Sequence, residues 1–154
     1  MRKKCFLLLL AGALFLLSVS LLCAQSNETL DRFLEQEQAV YGYSAYMVLT
    51  AAGKLPEEAS PKEAAAAVSR MGWSDKLSAS DDLINLGEYS SLLMKVFDIR
   101  GGLMYTLFPG PRYAARELKY LQCIPGKAAP GRSISGTDAI QILGRVLEWK
   151  EERS

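Results

Sequence analysis

The sequence predicts an all-α fold that follows an export signal. Apolar residues recur at the spacing of amphipathic helices along most of the chain. No stretch of strand length alternates convincingly between apolar and polar residues. Capping residues precede several of the apolar segments, and Gly or Pro separates one segment from the next. Together these observations indicate a small all-α domain.

Residues 1–24 have the composition of a signal peptide. The chain starts with Met-Arg-Lys-Lys, continues with an apolar run over residues 6–17, and offers Ala24 as a small residue at a cleavage point. We expect cleavage after residue 24, which leaves a single domain over residues 25–154. That domain is expected in the periplasm or at the cell surface of a bacterium.

Two other fates of this leader remain open. Cys23 is a candidate lipidation site, although the bulky Leu22 occupies the position where lipoprotein signals usually have a small side chain. An uncleaved leader is the second alternative, because residues 6–24 are just long enough to cross a bilayer as a helix. The polar Ser18 and Ser20 argue against it. A membrane is an expected partner only in these two cases.

Charge is distributed unevenly over the predicted domain. Residues 25–99 carry six basic and twelve acidic side chains, whereas residues 100–154 carry nine basic and five acidic ones. The net charge therefore changes from −6 in the first part to +4 in the second. The basic part suits an anionic partner, with a merely solvated surface as the alternative. The domain as a whole is slightly acidic, so we expect no nucleic-acid partner.

The chain lacks the residues of several common catalytic centres. It contains no His, which excludes Ser-His-Asp and Cys-His triads and His-ligated zinc. Cys123 is the one cysteine after the leader, so no internal disulfide can form. Its apolar neighbours indicate burial, and an intermolecular disulfide is the alternative. We therefore predict a non-enzymatic protein with no catalytic residue, no cofactor and no metal site.

The helices are predicted in chain order from these patterns. Asn27 is the expected cap of a first helix, because the apolar residues from Leu30 to Tyr41 follow helical spacing. Further helices are predicted over residues 43–52, 63–71, 87–97, 111–122 and 136–150. A Ser- and Asp-rich linker is expected over residues 74–82, and a short extended segment over residues 103–108.

One pattern recurs before three of these helices. A capping residue stands three positions before a carboxylate in the pairs Ser60 and Glu63, Asn85 and Glu88, and Ser135 and Asp138. This is the spacing of a capping box, in which the two side chains satisfy backbone N–H groups at the helix start. A basic residue follows seven positions after each acid, at Arg70, Lys95 and Arg145. A cap by itself implies no ligand, but the recurrence at three places predicts a diverged helical repeat.

The repeats resemble those of the S-layer homology family, abbreviated SLH. The similarity is clearest over residues 112–148, where Tyr113-Ala114 stands at the aromatic-Ala opening of the first helix and Ile124-Pro125-Gly126 resembles the turn. Residues 134–138 stand at the motif that opens the second helix. Fainter copies cover residues 43–73 and 84–99. The resemblance implies an all-α bundle of helix-loop-helix repeats.

The same resemblance implies a function. The family uses an Arg at the start of the second helix to contact anionic cell-wall polysaccharide, so a module that binds the cell wall is expected. In this chain Pro61, Leu86 and Gly136 replace that Arg in the three copies. The resemblance therefore supports the fold more than the ligand.

A substitute cationic surface is predicted on the fifth of the predicted helices. Arg112, Arg116 and Lys119 fall at i, i+4 and i+7, so they share one helix face, with Tyr113 and Tyr120 beside them. Arg side chains bind carboxylate and phosphate groups, and Tyr rings pack against sugar faces. These five residues are the candidate binding site for cell-wall polysaccharide or peptidoglycan. Arg100, Lys127 and Arg132 are candidates to extend it. The alternative is that the tyrosines belong to the core and the bases are merely solvated.

Two function classes follow from these observations. The favoured one is an exported, non-enzymatic cell-envelope protein, an SLH-like module that binds wall polymer or another anionic envelope surface. The alternative is a periplasmic protein–protein interaction subunit or a structural envelope component with no polysaccharide ligand. A broad exposed apolar patch or dimerisation through Cys123 would favour the alternative.

Overall fold

The computed structural model of the protein describes residues 28–73 and 79–153. The expected signal peptide, the candidate lipidation site Cys23, the Asn27 cap and part of the predicted linker lie outside these residues. The described residues form seven helices and no β-strand, which confirms the predicted all-α class. The helices are α1 (residues 28–34), α2 (Tyr41–Ala51), α3 (Pro61–Arg70), α4 (Leu86–Val96), α5 (Leu103–Leu107), α6 (Pro111–Tyr120) and α7 (Gly136–Glu151).

The prediction of one continuous helix from Leu30 to Tyr41 is wrong. α1 ends at residue 34, and Val40 has the extended backbone of an N-cap, with φ −94° and ψ 140°, directly before α2. The side chain of Gln36 accepts the Val40 N–H at 2.9 Å. The backbone N–H of Ala39 also makes no helical hydrogen bond, because it donates to a carbonyl oxygen near the start of α7 at 2.7 Å. Because of these hydrogen bonds, the residues between α1 and α2 do not continue the helix, although the apolar residues there have helical spacing.

The expected extended segment over residues 103–108 is also wrong. These residues form the helix α5 and its C-cap. The N–H of Thr106 donates to Gly102 O and the N–H of Phe108 donates to Met104 O, both at 3.0 Å, as in an α-helix. α5 has only five residues, and apolar spacing in so short a run does not separate a helix from a strand.

Three helices, α2, α4 and α7, contact one another at the centre of the fold. α3 packs against α2 and α6 packs against α4 on the outside, while the described contacts of α5 are with α6. The largest fully buried side chains include Phe33, Leu49, Tyr89, Leu118 and Ile142. α6, which opens the predicted repeat over residues 112–148, packs against α4 and α5.

A closed ring of backbone hydrogen bonds joins the starts of the three central helices. The start of α2 is bound to the segment before α4, the start of α4 to the segment before α7, and the start of α7 to the segment before α2. The bonds run from Tyr41 N–H to Asp82 O at 2.7 Å, from Leu86 N–H to Arg132 O at 2.9 Å, and from Gly136 N–H to Gln36 O at 2.9 Å. The first N–H groups of a helix have no partner within it, so this helix-start ring satisfies them.

The helix-start ring leaves no room for a side chain at Gly136. A Cβ atom at this position would overlap the carbonyl oxygen of Phe33. At Gly42, in the first turn of α2, a Cβ atom would lie 2.8 Å from the carbonyl oxygen of Ser80. Glycine at these two positions therefore allows the backbone segments of the ring to come into contact.

Side-chain caps are present at all three of the predicted helix starts. Ser60, Asn85 and Ser135 accept the N–H groups of Glu63, Glu88 and Asp138 at 3.3, 3.0 and 3.0 Å, respectively. Glu63 and Glu88 accept the cap N–H in return, which completes two capping boxes. Hydrogen bonds from the backbone N–H and then the hydroxyl of Ser60 lower the pKa of Glu63.

The third cap and the positions of the caps differ from a simple repeat. The shorter side chain of Asp138 accepts a hydrogen bond from Arg132 Nη1 at 3.0 Å rather than from its own cap. Asn85 and Ser135 belong to the helix-start ring, whereas Ser60 begins the outer helix α3. The third helix start of the ring has Val40 as N-cap, which makes no side-chain cap hydrogen bond. One sequence pattern therefore marks helix starts in two different surroundings.

Candidate functional site

α6 presents its two sides to different surroundings. Ala114, Ala115 and Leu118 are buried on the side that packs against α4. Pro111 occupies the first turn, where its missing N–H costs nothing, and Gly110 is the N-cap. The small alanine side chains allow the two helix backbones to approach closely. Packing against the central helix therefore fixes α6 and leaves its other side in solvent.

Arg112 and Arg116 lie on the solvent side of α6. Both side chains are exposed, and they are one helical turn apart. Neither takes part in an ion pair or hydrogen bond within the described residues. Glu117 is the one acidic residue between positions 100 and 132 of the sequence, and its carboxylate lies next to Gly102 at the start of α5. The two guanidinium groups are thus unneutralised donors at the surface.

Lys119 is exposed and also makes a contact that its helical spacing does not predict. Its Nζ donates a hydrogen bond to the carbonyl oxygen of Ile124 at 3.2 Å. That oxygen belongs to the turn after α6, in which Gln122 has a positive φ of 63°. The N–H of Cys123 returns to Leu118 O at 2.9 Å in the same turn. Lys119 therefore helps to close the end of α6, as bases in the last turn of a helix often do.

The two tyrosines of the candidate site differ in exposure. Tyr120 is 81% exposed, so the alternative that it belongs to the core does not hold. Tyr113 is half-buried, and its ring stacks on that of Phe108 with centroids 6.2 Å apart and planes at 28°. Tyr120 is thus the free aromatic ring of the surface, whereas Tyr113 supports the segment between α5 and α6.

A groove of about 290 Å³ lies between α5 and α6. Leu103 and Met104 line one wall, and Arg116, Glu117 and Tyr120 line the other. The wall formed by α6 carries the charged and aromatic groups that suit a ligand with a sugar ring and an anionic group, whereas the wall formed by α5 is apolar. The groove brings Arg116 and Tyr120 of the candidate site together.

The three bases expected to extend the site differ in their surroundings. Arg100 and Lys127 are exposed. Arg132 lies at the helix-start ring instead, where its guanidinium binds Asp138 at 3.0 Å. Of the bases in the sequence-predicted cationic surface, Arg132 is paired with Asp138, and the others are exposed.

The exposed apolar side chains of α5 are the feature that the sequence analysis missed. Leu103, Met104, Leu107 and Phe108 are between 55% and 71% exposed, and no residue of α5 is buried. A signal for them exists in the sequence, because their spacing at i, i+1, i+4 and i+5 is that of one helix face. This helix face was not predicted, because residues 103–108 were expected to be extended.

Cys123 is buried, as its apolar neighbours indicated. Its Sγ lies 3.6 Å from Leu121 O, and burial raises the pKa of the thiol. A thiol in this position is shielded from the cysteine of another chain. Disulfide-linked dimerisation, which would have favoured an interaction subunit, therefore has no support in this arrangement. Elsewhere in the described residues, no group of three His, Cys, Asp or Glu side chains is arranged to hold a metal ion.

No family model, no curated protein and no solved structure matches this chain. Among the described helices, none combines the length and the apolar character needed to span a bilayer. The features of this chain that bear on function are therefore the geometry of α5 and α6 and the sequence patterns.

Proposed function

We propose that this protein is an exported, non-enzymatic module of the bacterial cell envelope that binds an anionic wall polymer through α6. The observation that carries the proposal is that Arg112 and Arg116 are exposed, adjacent and without an acidic partner in the described residues. Tyr120 projects beside them on the same helix. The leader sequence supports export, and the cell wall is the class of ligand that the SLH resemblance implies.

Two unpaired guanidinium groups one turn apart suit a polymer with repeated anionic groups. Each planar guanidinium forms two parallel hydrogen bonds with a carboxylate or phosphate, and such charge-assisted bonds are about twice as strong as neutral ones. A polymer that engages both arginines gains affinity because the second contact is intramolecular. The exposed ring of Tyr120 then packs against a sugar face.

The proposal places the ligand on α6 and away from the positions that correspond to the family's Arg. Leu86 and Gly136 stand at two of those positions, and both are buried at the helix-start ring. The third, Pro61, begins α3. An apolar core residue, a glycine without space for a side chain and a proline offer no cationic group there. The surface of α6 supplies the charge that these positions lack.

Co-sedimentation of the mature protein with insoluble peptidoglycan sacculi tests the proposal. Sacculi with attached anionic polymers are compared with stripped sacculi over a salt series, and binding is expected to require the polymers and to weaken as salt rises. The double variant Arg112→Glu with Arg116→Glu is expected to lose at least about tenfold in affinity, because it replaces attraction by repulsion. Lys119 is left unchanged, since its hydrogen bond to Ile124 holds the turn after α6.

A matched control separates the site from net charge. Lys62→Glu with Arg70→Glu makes the same charge change on the exposed side of α3. Retention of this variant together with loss of the α6 variant supports the proposal. Equal loss in both variants would show that binding depends on net charge alone, and full retention of the α6 variant would refute the proposed site.

The alternative function, a periplasmic protein–protein interaction subunit or a structural envelope component, is favoured by one observation. The apolar side chains of α5 are exposed to solvent, and large exposed apolar patches often mark protein interfaces. Light scattering over a concentration series tests the self-associating form of this alternative. A mass that stays monomeric, together with polymer-dependent pelleting, would favour the wall-binding function.

A further inference from the structure

α5 exposes most of its apolar side chains to solvent. Leu103, Met104, Leu107 and Phe108 all face solvent, and α5 has no buried residue. The fully buried members of the hydrophobic core come from the other helices and the connecting segments, and the partly buried Tyr105 is the residue of α5 that packs against them. Exposing four large apolar side chains together is unfavourable for an isolated soluble domain, so the patch calls for a partner that takes up apolar groups.

Cationic groups border the same patch. Arg116 lines the groove with Leu103 and Met104. A second open depression of about 460 Å³ is lined by Leu107 and Phe108 together with Arg112. α5 itself carries no charged residue, and Arg100 is exposed just before it. Apolar side chains and arginines therefore lie next to each other on one surface. This combination is complementary to a bilayer with anionic headgroups.

We propose that α5 and α6 dock this protein on the surface of a bilayer that contains anionic phospholipids. The apolar face of α5, which consists of Leu103, Met104, Leu107 and Phe108, enters the boundary between headgroups and acyl chains. Arg112 and Arg116 bind lipid phosphates. Tyr120 lies at headgroup level, where amphipathic aromatic rings are favoured.

Two other occupants fit the surface less well. A hydrated wall polymer has no means of burying four large apolar side chains. A second copy of the chain, paired through this patch by a twofold axis, would bring its Arg112 and Arg116 near the same arginines of the first copy. That arrangement places like charges together with only one Glu117 per copy nearby. Lipid phosphates offer the arginines the opposite charge instead.

This inference goes beyond the proposed polymer site and rests on it only in using the same two arginines. The polymer is recognised by charge and by a tyrosine ring, whereas docking on lipid additionally needs the apolar face of α5. The two interactions also differ in salt dependence, because salt screens the arginines but not the burial of apolar side chains. A variant of α5 therefore separates them.

The test is co-sedimentation of the mature protein with vesicles of phosphatidylcholine and phosphatidylglycerol, and with vesicles of phosphatidylcholine alone. The wild type is expected to bind the anionic vesicles and to bind the neutral ones weakly. Leu103→Ser with Leu107→Ser is expected to lower affinity for anionic vesicles about tenfold or more, since two exposed leucines no longer enter the bilayer. Its retention on polymer-bearing sacculi is expected to stay unchanged.

A matched control and an independent reporter sharpen the result. Met71→Ser with Leu83→Ser removes two exposed apolar side chains far from α5 in sequence and is expected to leave vesicle binding unchanged. Phe108→Trp places a fluorophore in the patch, and its emission is expected to shift to the blue on anionic vesicles. An unshifted emission would show that position 108 stays in water.

The outcomes distinguish the inference from the proposed function. Retention on polymer-bearing sacculi without vesicle binding overturns the inference and leaves the proposed function standing. Vesicle binding that the Leu103→Ser and Leu107→Ser variant keeps in full also overturns it, because charge alone then explains the binding. A dimer that this variant abolishes, without vesicle binding, assigns the patch to self-association. Vesicle binding without sacculus binding supports the inference and overturns the proposed function.

Discussion

α4 and α5 are neighbouring helices with similar residue types and opposite surroundings. Both contain Leu, Met and Tyr, yet nine of the eleven residues of α4 are buried and none of α5 is. α4 is contacted by α2, α6 and α7, whereas α5 packs against α6. The difference shows that apolar composition does not decide burial in this chain. The number of elements that pack around a helix decides its burial.

The comparison also separates stability from binding. The helix-start ring is held by hydrogen bonds between backbone segments, and α4 carries buried side chains. Substitutions in either are therefore expected to alter the free energy of unfolding. The surface of α5 and α6 contains exposed side chains, so changes there are expected to alter binding instead. Three substitutions test this separation, from the largest expected effect on stability to the smallest.

The largest effect is expected from Gly136→Ala in the helix-start ring. The new methyl group would overlap the carbonyl oxygen of Phe33 and displace the hydrogen bond from Gly136 to Gln36, so the free energy of unfolding should fall by about 3 kcal/mol. Urea unfolding measures it. Gly144→Ala on the same helix is the control, because a Cβ atom there meets nothing and the change should stabilise by about 0.5–1 kcal/mol. Equal stability of the two variants would contradict the ring.

An intermediate effect is expected from Tyr89→Phe at the centre of α4. The buried hydroxyl donates to Ala139 O at 2.9 Å, so its removal should cost about 1–2 kcal/mol. Burial raises the pKa of Tyr89 above its ordinary value. The folded state therefore keeps this proton while the unfolded state releases it above about pH 10, so stability falls as the pH rises beyond that value.

Urea unfolding at neutral and at alkaline pH checks this second prediction. The wild type should lose stability above about pH 10, and Tyr89→Phe should lose less over the same range. Some alkaline dependence should remain in the variant, because burial also raises the pKa of Tyr46. An identical alkaline loss in both proteins would show that Tyr89 is not the main titrating group.

Almost no effect on stability is expected from Leu103→Ser with Leu107→Ser on α5. Both side chains are exposed, so the free energy of unfolding should change by no more than about 0.5 kcal/mol. The measurement is the same urea unfolding experiment. A loss as large as that of Tyr89→Phe would mean that α5 packs into the fold, and the contrast with α4 would fail.

The sequence predicted much of the local structure and less of the site. The caps at Ser60, Asn85 and Ser135 are visible in sequence because each acts on an N–H only three residues away. The exposed pair of arginines on α6 follows from helical spacing for the same reason. The hydrogen bond from Lys119 to Ile124 was not predicted, because the carbonyl oxygen that it binds belongs to a turn that helical spacing does not describe.

The tertiary structure alone decided which apolar faces found partners. Gly136 contacts Phe33, about a hundred positions earlier, and Tyr89 binds Ala139, fifty positions later. α5 has a helix face as apolar as those that are buried, but none of the other described helices lies over it. Helix starts depend on bonds within one turn, so the sequence by itself determined them. Burial and the helix-start ring depend on segments far apart in the chain, and only the assembled fold brings those segments together.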